Sequence, residues 1–506
     1  MVKPSDKLSE SLGILHRLQT QDKIVIRSSD LTRTHRERLC KHGFLQEVIS
    51  GWYIPSRPNE PAGESTAWYT SFWHFCASYL QFLKGDDWCL SPEQSLSLHV
   101  ENWTVPPQLL VRATKARNNV TSLPHGTSML VIRSIMPASN DIVEKNGLRL
   151  FSLPAALVNC SPSFFQQNPT DARAALLIMR DVSEILKKLL EGGHSTVAGR
   201  LAGAFRSIGR EREANEIVQT MRAAGYDIRE SDPFEIPTRQ IMLPPRGESP
   251  LVSRLRLMWQ DMREPIISRF PKAPGLPKDM HGYLNQVEEM YASDAYNSLS
   301  IEGYRVNPEL IDRVRDGNWN PIGNEQDREH SNALAARGYW LAYQAVKESI
   351  AKILKGENSG AVVDMDHGTW YREMFAPTVM AGLMRPADLA GYRNGPVYIR
   401  QSMHVPPSRE AVRDAMSAFF DLLKAESEAS VRVVLGHFIF VYIHPYFDGN
   451  GRIGRFLMNT MTASGGYPWI VVPLEKRHQY MAALEEASVG RNIEPFADFL
   501  ARLAES

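Results

Sequence analysis

The sequence of 506 residues has little cysteine, no excess of charge and no long apolar run. Four cysteines without a C-x-x-C pair exclude a disulfide scaffold and a cysteine-based zinc site: Cys40, Cys76, Cys89 and Cys160. Basic and acidic residues both number 57, so no overall charge attracts nucleic acid or anionic membranes. No apolar run reaches the roughly 18 residues of a membrane helix, and the start lacks the apolar core of a signal peptide. These absences predict a cytoplasmic protein that does not bind membranes.

At roughly 100 to 200 residues per domain, the chain should hold about three domains. The clearest boundary is a stretch in which repeated proline discourages regular structure: Pro233, Pro237, Pro244, Pro245 and Pro250. We predict a first domain at 1–58, a second at 59–230, a linker at 231–250 and a mostly helical block at 251–506.

The N-terminal half has mixed periodicity. Residues 7–57 predict short helices followed by a strand pair. Residues 60–165 combine a helical pattern with the strand-like runs LLVRA and SMLVIRSI, which indicates a small α/β domain. Residues 170–224 predict a helical bundle. In its first helix, apolar side chains from Leu176 to Leu189 recur at helical spacing, and Gly192 and Gly193 end it.

The most informative segment is VRVVLGHFIFVYIHPYFDGNGRIGRFLMN, residues 431–459. Its apolar run ends at Pro445, and proline disfavours the helical region for the residue before it, so His444 should stand at the break. The partial negative charge of a helix C-terminus favours protonated imidazole and would make His444 a better base.

After His444 the loop FDGNG lets successive backbone N–H groups face one point, a geometry that binds phosphate oxygens. The N-terminus of the next helix adds further N–H groups, and Arg452 and Arg455 lie on one face of its first turns. Asp448 places a carboxylate where Mg²⁺ with most of its water shell would bind. This is the equipment for in-line attack of a hydroxyl on a nucleotide phosphate.

The string HPYFDGNGRIGR resembles the signature HPFx(D/E)GNGRxxR of the Fic family, with Tyr446 in place of the usual Phe. Fic proteins are all-helical enzymes, most of which transfer AMP from ATP to a protein hydroxyl. The resemblance implies that His444 is the base and Asp448 the Mg²⁺ ligand. It assigns nucleotide binding to Gly449, Asn450, Gly451, Arg452, Gly454 and Arg455, with the two arginines on the β and γ phosphates.

A competing interpretation is a dinucleotide-binding turn, because Gly449, Gly451 and Gly454 spell G-x-G-x-x-G. That fold requires a strand that runs directly into the turn. Pro445 and Phe447-Asp448 intervene, and nothing else in the block alternates strand and helix.

Two further assignments depend on the same resemblance. Residues 389–407 resemble the segment that carries the Fic flap, in which Val397, Tyr398 and Ile399 would form a short edge strand that aligns a target by main-chain pairing. An ordinary surface hairpin is the alternative. Tyr480 would line the adenine pocket, or else belong to the core, and His437 is interpreted as a supporting core histidine.

A helix is predicted at 284–303, with Gly303 as its C-cap. Glu302 then lies in the last turn, where the helix dipole disfavours an anion. Ser298, Glu302 and Gly303 resemble the inhibitory motif (S/T)xxxE(G/N) of Fic proteins, which implies that Glu302 pairs with Arg455 and blocks its grip on the γ phosphate. A solvated helix end is the alternative.

Residues 22–45 contain six basic and three acidic side chains. The order of a helix, the helix LTRTHRERLCKHG and the strand pair FLQEVISGWYIP resembles the winged helix of AbiEi-type antitoxins, and 90–224 loosely resembles the domain that follows there. The resemblance implies that Arg33, Arg36 and Arg38 contact the major groove of duplex DNA. A winged helix used only for protein contacts is the alternative. The expected fold is therefore mainly α: a helical Fic domain preceded by a winged helix-turn-helix and a small α/β plus helical domain.

The resemblance predicts a self-inhibited adenylyltransferase that modifies a Ser, Thr or Tyr hydroxyl of a target protein, uses ATP and Mg²⁺, and forms a homodimer. Two alternatives stay open: a Fic-fold enzyme that removes AMP or transfers another nucleotide-derived group, and a transcriptional regulator that only senses nucleotide.

Overall fold

The computed structural model describes residues 4–21, 23–58, 64–234, 248–316 and 331–505. The chain divides into two compact units. The first comprises Met1–Arg254 and Tyr398–Val405, and the second comprises Leu255–Val397 and Pro406–Ser506. Most of the predicted linker at 231–250 lies outside the described residues, so the domain boundaries stay a prediction.

The first unit begins with two helices and a small antiparallel sheet in the order β1-β3-β2. Thr32 caps the second helix by accepting a hydrogen bond from the His35 N–H, and Gly51, at φ 81°, closes the hairpin of the last two strands. The winged-helix assignment stays a prediction. The elements are α1 (Pro4–Thr20), β1 (Ile26–Arg27), α2 (Arg33–Lys41), β2 (Leu45–Ile49) and β3 (Trp52–Pro55).

A mixed sheet in the order β4-β5-β7-β6 follows, in which β5 and β7 are parallel and correspond to the two strand-like runs. Its core is rich in aromatic rings, among them Trp68 and Phe75 on α3, which meet edge to face. The elements are α3 (Thr66–Lys84), β4 (Cys89–Leu90), α4 (Pro92–His99), β5 (Gln108–Ala113), β6 (Asn119–Ser122), β7 (Ser128–Arg133), β8 (Ile142–Lys145) and β9 (Leu148–Phe151).

Six helices complete this half of the chain: α5 (Leu153–Asn159), α6 (Pro162–Gln167), α7 (Pro169–Ile178), α8 (Ser183–Gly192), α9 (Ser195–Ser207) and α10 (Glu211–Ala223). The prediction of a single helix from Leu176 to Leu189 is wrong, because α7 ends at Ile178 and α8 begins at Ser183. The cause is local: Asp181 accepts the Ser183 N–H over 2.9 Å and so starts a new helix. Gly193, at φ 62°, ends α8.

The second unit contains helices and, in its described part, no strand. This confirms the prediction of a mainly α protein. The helices are α11 (Pro250–Arg269), which begins in the first unit, α12 (Met280–Ile301), α13 (Pro308–Arg315), α14 (Ser331–Leu354), α15 (Ser359–Met380), α16 (Arg409–Ala425), α17 (Ala429–Ile443), α18 (Asn450–Gly465), α19 (Arg477–Ser488) and α20 (Glu494–Ala504). Nowhere in the described ranges does a helix combine the length and apolar character of a membrane span.

Candidate active site

His444 stands at the C-cap of α17 with a left-handed backbone, at φ 54° and ψ 60°. Its Nδ1 lies 3.1 Å from the Val441 carbonyl oxygen. Because a carbonyl only accepts, Nδ1 carries the proton and Nε2 keeps its lone pair. The side chain at the helix break is therefore set up as a neutral imidazole with one basic nitrogen.

Arg393 holds the turn around His444 and was missed by the sequence analysis. It is 3% exposed, and its Nε donates to the His444 carbonyl oxygen over 2.8 Å. Its backbone N–H donates to the Pro445 carbonyl over 2.9 Å. A left-handed non-glycine residue persists only where its surroundings hold it, and these bonds do so. The only feature of the sequence that could have indicated this role is the position of an arginine between the two glycines of GYRNG.

The charge state predicted for His444 is wrong. Burial lowers the pKa of His444 to about 4, and the Arg393 guanidinium adds to that decrease. The helix C-terminus was expected to favour the cation, but desolvation of a charged imidazole outweighs the dipole. At neutral pH the imidazole is neutral, which is the form that can accept a proton.

The loop after His444 is braced by Asn450. The Asn450 side chain accepts the Tyr446 N–H over 2.9 Å and donates to the Tyr446 carbonyl over 2.7 Å. The Tyr446 ring stacks on Tyr371 with ring centres 3.8 Å apart. The Asn450 side chain is thus committed to the loop, and only its backbone N–H is left for the phosphate role that the resemblance implied.

Two glycines shape the start of α18. Gly449 has φ 81°, and a β-carbon there would lie 2.9 Å from the Phe375 ring. A β-carbon on Gly451 would lie 2.2 Å from Glu302 Oε1. Gly449 therefore needs glycine because of its backbone conformation. At Gly451 the contact shows that the Glu302 carboxylate approaches the helix N-terminus directly, and a side chain there would require Glu302 to move. An anionic oxygen at this point is what the N-terminus of a helix attracts.

The two arginines of α18 are almost fully buried. Arg452 is 1% exposed, with its guanidinium 5.1 Å from the Tyr304 ring and 5.2 Å from the Phe375 ring. Arg455 is 2% exposed. Arg452 Nε and Arg455 Nη1 have no hydrogen-bond partner among the described residues. Buried guanidinium donors without partners are uncommon, and a bound anion such as a phosphate would satisfy them.

Asp448 is the exposed carboxylate of the loop. Its side chain is 62% exposed, its Oδ1 accepts the Gly449 N–H over 2.6 Å, and its Oδ2 lies 3.2 Å from Arg452 Nη2. The described residues contain no group of three or more His, Cys, Asp or Glu side chains that could hold a metal ion. One open carboxylate fits Mg²⁺, which keeps several waters and shares substrate phosphates.

Arg455 is held by α12. Its Nε donates to Ser298 Oγ over 2.8 Å, and its Nη2 donates to the Ser298 carbonyl over 3.0 Å and to Glu302 Oε1 over 2.8 Å. Burial opposes ionisation of Glu302, but Arg455 and Arg452 together hold the pKa of its carboxyl below the usual range. Glu302 and Arg455 thus form the ion pair that the resemblance implied. Glu302 is the C-cap of α12, and Gly303 follows it at φ 90°.

Asp294 lies one turn before Ser298 and was also missed by the sequence analysis. It is 2% exposed and accepts a 2.5 Å hydrogen bond from the Tyr339 hydroxyl of α14. Burial raises the pKa of Asp294 to about 6. Since Asp294, Ser298 and Glu302 are spaced by four, they lie on one face of α12. The sequence shows this spacing of four, but it does not show which residues form hydrogen bonds to the polar side chains of a buried helix face.

Comparison with known proteins identifies this region. The sequence profile of the Fic/DOC family matches residues 369–462. These residues form a Fic domain.

Two relatives and two solved structures show the extent of the similarity. A protein adenylyltransferase Fic of Nematostella vectensis is 26% identical over 256 residues, 50% of this chain and 56% of that protein. One of Drosophila ananassae is 36% identical over 222 residues, 43% of this chain and 41% of that protein. The chain thus spans about half the length of the curated relatives it matches.

The solved structures are more distant. Fic-1 (aa134–508) from C. elegans is 19% identical, covers 67% of this chain and 96% of its own length, and has a TM-score of 0.36. A Fic-domain signalling protein from Bacteroides thetaiotaomicron is 18% identical, covers 49% of this chain and 93% of its own length, and has a TM-score of 0.33.

Two residues assigned to nucleotide binding lie in packed positions. A β-carbon on Gly454 would lie 2.8 Å from Val441 and 2.9 Å from His437, so this glycine allows α17 and α18 to approach closely. Tyr480 is 1% exposed, and its hydroxyl lies 2.6 Å from His437 Nε2. His437 is therefore the buried supporting histidine that the sequence analysis described, and Tyr480 is its partner.

The flap residues Val397, Tyr398 and Ile399 belong to no strand of the described chain. A turn follows at once, closed by the Ser402 N–H on the Ile399 carbonyl over 3.3 Å. Gln401 within it has φ 58°. The turn comes too soon for the predicted edge strand to extend into a paired hairpin.

The arginines proposed to contact DNA are mostly engaged within the fold. Arg36 Nη1 donates to the Ser28 carbonyl over 3.2 Å, and Arg38 Nη1 donates to the Lys7 carbonyl over 2.7 Å. Arg33 is 83% exposed and pairs with Glu37 over 2.6 Å. Of the three, Arg33 alone extends into solvent.

Proposed function

We propose that the protein is a self-inhibited protein adenylyltransferase, which transfers AMP from ATP to a Ser, Thr or Tyr hydroxyl of a target protein. The observation that carries this proposal is that a neutral His444 and two buried arginines lie within one loop and the helix that follows it. One of these arginines, Arg455, is bonded to Glu302. The adenylyltransferase names of the relatives support the same reaction.

The reaction follows from the roles of these groups. His444 Nε2 accepts the proton of the target hydroxyl as its oxygen attacks the α phosphate of ATP. The new oxygen–phosphorus bond forms, the bond to the β phosphate breaks, and pyrophosphate leaves. Arg452, Arg455 and the N–H groups at the start of α18 neutralise the phosphate charge that develops on the leaving group. Asp448 would hold Mg²⁺, which would neutralise further charge on the phosphates.

Inhibition follows from competition for Arg455. While Glu302 and Ser298 accept three hydrogen bonds from its guanidinium, the γ phosphate cannot take the same donors. Glu302 Oε1 also stands where a side chain on Gly451 would be, close to the helix N-terminus. A carboxylate at this point repels a phosphate, so ATP binds in a position unsuited to transfer.

The test is incubation of the Glu302→Gly variant with α-labelled ATP, Mg²⁺ and a cell lysate. We expect label on a protein band that carries the mass of an adenylyl group. Loss of that mass from a pre-modified band would instead favour AMP removal, and a different added mass would favour another group transfer. No change of protein mass, with ATP bound, would favour the nucleotide-sensing regulator.

We also propose that the first unit binds duplex DNA, which the six basic residues between positions 22 and 45 and the exposed Arg33 support. Affinity for a mixed-sequence duplex should fall steeply with salt, and Arg33→Ala should reduce the slope of log affinity against log salt by about 0.9. Arg385→Ala is the matched control, because Arg385 is also exposed and paired with an acid on its own helical turn. A salt-independent signal, or none at low salt, rejects this proposal.

Two further proposals concern the setting of the protein. The free thiols of all four cysteines are consistent with a reducing compartment, so we place the protein in the cytoplasm. We also propose a homodimer, which light scattering of the purified chain over a range of concentrations would test.

A further inference from the structure

The guanidinium of Arg452 lies over two aromatic rings of the second unit. Its central carbon is 5.1 Å from the centre of the Tyr304 ring and 5.2 Å from the centre of the Phe375 ring. A cation–π contact uses the face of the ring and the charge of the cation, so it occupies none of the N–H donors. Arg452 Nη2 lies 3.2 Å from Asp448 Oδ2, and Nε has no hydrogen-bond partner among the described residues. The two rings therefore restrain the guanidinium and leave a donor for an anion.

Phe375 is fixed by contacts other than the one with Arg452. It lies on α15, is 6% exposed, and packs against the Tyr371 ring with ring centres 5.0 Å apart. A β-carbon on Gly449 would lie 2.9 Å from the Phe375 ring, so this ring also packs against the loop that precedes α18. Packing in the core and against the loop is sufficient to explain the position of Phe375.

Tyr304 reaches Arg452 from the end of α12. Its backbone N–H donates to the Leu299 carbonyl over 3.1 Å, and the Gly303 N–H donates to the Ser300 carbonyl over 3.0 Å. These two bonds, with Gly303 at φ 90°, form a Schellman motif. The last turn of α12 thus holds the backbone of Tyr304, and the bonds that do so do not involve the Glu302 side chain.

Burial strengthens the contact between Tyr304 and Arg452. Arg452 is 1% exposed, and Tyr304 is half-buried. A cation–π contact contributes more when its cation is removed from water. A long side chain that binds a phosphate also loses rotamer freedom, and a contact that restrains it beforehand reduces this loss on binding. The Tyr304 ring thus lowers the entropic cost at which Arg452 binds a phosphate.

We propose that Tyr304 is a positioning residue for the nucleotide, which acts by holding Arg452 in the place where it binds the β phosphate. This rests on the proposed adenylyltransferase function, in which Arg452 binds that phosphate. The end of α12 then has two opposite effects. Glu302 keeps Arg455 from the γ phosphate, whereas Tyr304, two positions later, supports the arginine of the β phosphate.

The role of Tyr304 can be tested without transfer, by calorimetry of nucleotide binding in the Glu302→Gly background, where Arg455 is released. Tyr304→Leu should weaken the binding of ADP by about three- to tenfold, the range of a cation–π contact. The affinity for AMP should stay unchanged, because AMP has no β phosphate, and this also shows that the variant is folded. An equal loss for AMP and ADP overturns the proposal. Tighter binding of ADP overturns it as well, because Tyr304 would then obstruct the phosphate.

Two further variants separate the ring from the rest of the side chain. Tyr304→Phe keeps the ring and should bind ADP within about twofold of its parent. If Tyr304→Phe loses as much affinity as Tyr304→Leu, the hydroxyl is responsible and the proposal is overturned. Tyr296→Leu is the matched control, because Tyr296 is a half-buried tyrosine of α12. It lies two positions, or about 200° of helical rotation, from Ser298. The same loss of ADP affinity in Tyr296→Leu would also overturn the proposal.

Transfer of AMP gives the final test. In the Glu302→Gly background, Tyr304→Leu should lower kcat/KM for ATP by about three- to tenfold, the same factor as for ADP binding. The double variant would then be less active than Glu302→Gly, although both changes alter the inhibitory end of α12. An equal or higher kcat/KM in the double variant overturns the proposal. If Glu302→Gly transfers no AMP at all, the proposed function fails, and the comparison of ADP with AMP alone decides the role of Tyr304.

Discussion

The Glu302 carboxylate and the Arg455 guanidinium form a 2.8 Å ion pair between the end of α12 and the first turns of α18. The pair is unequal, because the arginine side chain is 2% exposed and the glutamate side chain 28% exposed. Removing the arginine would leave an acid that water can solvate, whereas removing the glutamate leaves a buried cation that seeks another anion. Glu302 is the more accessible of the two residues, and its removal should therefore favour the binding of ATP phosphate to Arg455.

Replacing Glu302 by glycine should raise the rate of AMP transfer by roughly ten- to a hundredfold, because the charge-assisted bond that competes with the γ phosphate is lost. Label from α-labelled ATP on the enzyme or on a target measures the rate. Glu288→Gln is the control, since Glu288 lies on the same helix but pairs with Lys347. Equal rates in the Glu302 variant and the unaltered chain would remove the inhibitory role.

Ser298→Ala should give a weaker effect of the same sign, about three- to tenfold. The substitution removes the acceptor of Arg455 Nε but keeps the Ser298 carbonyl and Glu302 as acceptors. Calorimetry should show tighter ATP binding in this variant. In the Glu302→Gly background the added gain should shrink, because both changes release the same guanidinium. Full additivity of the two changes would argue against one shared restraint.

Loss of the imidazole should abolish transfer without abolishing ATP binding. His444→Ala removes the base and should lower kcat by about a thousandfold in the Glu302→Gly background, within the range of general base catalysis. His478→Ala is a control on an exposed histidine of α19. A rate that survives in His444→Ala would assign the proton transfer to another group.

The pH dependence of transfer should reflect the lowered pKa of His444. A histidine in the unfolded chain titrates near pH 6.5, whereas His444 titrates at about 4 in the fold. The base therefore stays unprotonated as pH falls from 7 to 5, and the rate of Glu302→Gly should decline only near pH 4. Circular dichroism at each pH separates this decline from unfolding. An acid limb near pH 6.5 would contradict the buried environment.

The same shift predicts a loss of stability in acid. Because the unfolded state binds the proton at a higher pH than the native state, the free energy of unfolding should fall as pH drops below about 6.5 and continue to fall towards 4. Urea titrations of the unaltered chain and of His444→Ala at matched pH should differ in this slope. Parallel slopes would show that His444 does not contribute.

Tyr339→Phe should destabilise the helical unit by about 1 to 3 kcal/mol, because buried Asp294 loses the hydroxyl that donates to it. Thermal unfolding measures the change. Tyr291→Phe is the matched control, since Tyr291 is equally buried and its hydroxyl has no hydrogen-bond partner within the described chain. A similar decrease in both variants would assign the effect to packing rather than to the Asp294 bond.

The reactive loop was largely predictable from sequence because its chemistry is local. His444, Asp448 and the arginines of α18 lie within a dozen positions, and a proline and closely spaced glycines fix the backbone between them. The helix before Glu302 was also predictable, since Gly303 marks its end. These features depend on neighbours in the chain, which the sequence displays directly.

Features that depend on distant residues could not be predicted. The bond from Arg393 to the His444 carbonyl, and that from Tyr339 to Asp294, each join separate elements. Desolvation of His444 depends on how several helices pack, so the helix dipole alone gave the wrong direction for the shift of its pKa. Gly454 and Tyr480 were assigned to nucleotide binding, yet their surroundings show a close contact between two helices and a buried hydrogen-bonded pair.

The left-handed backbone at His444 has a consequence for laboratory evolution. Asparagine or glycine would adopt φ 54° with less strain than an imidazole-bearing residue, by about 1 kcal/mol. A screen that rewards heat resistance alone would therefore tend to discard the base. Variants recovered from such a screen should be sequenced at this codon before they are judged improved.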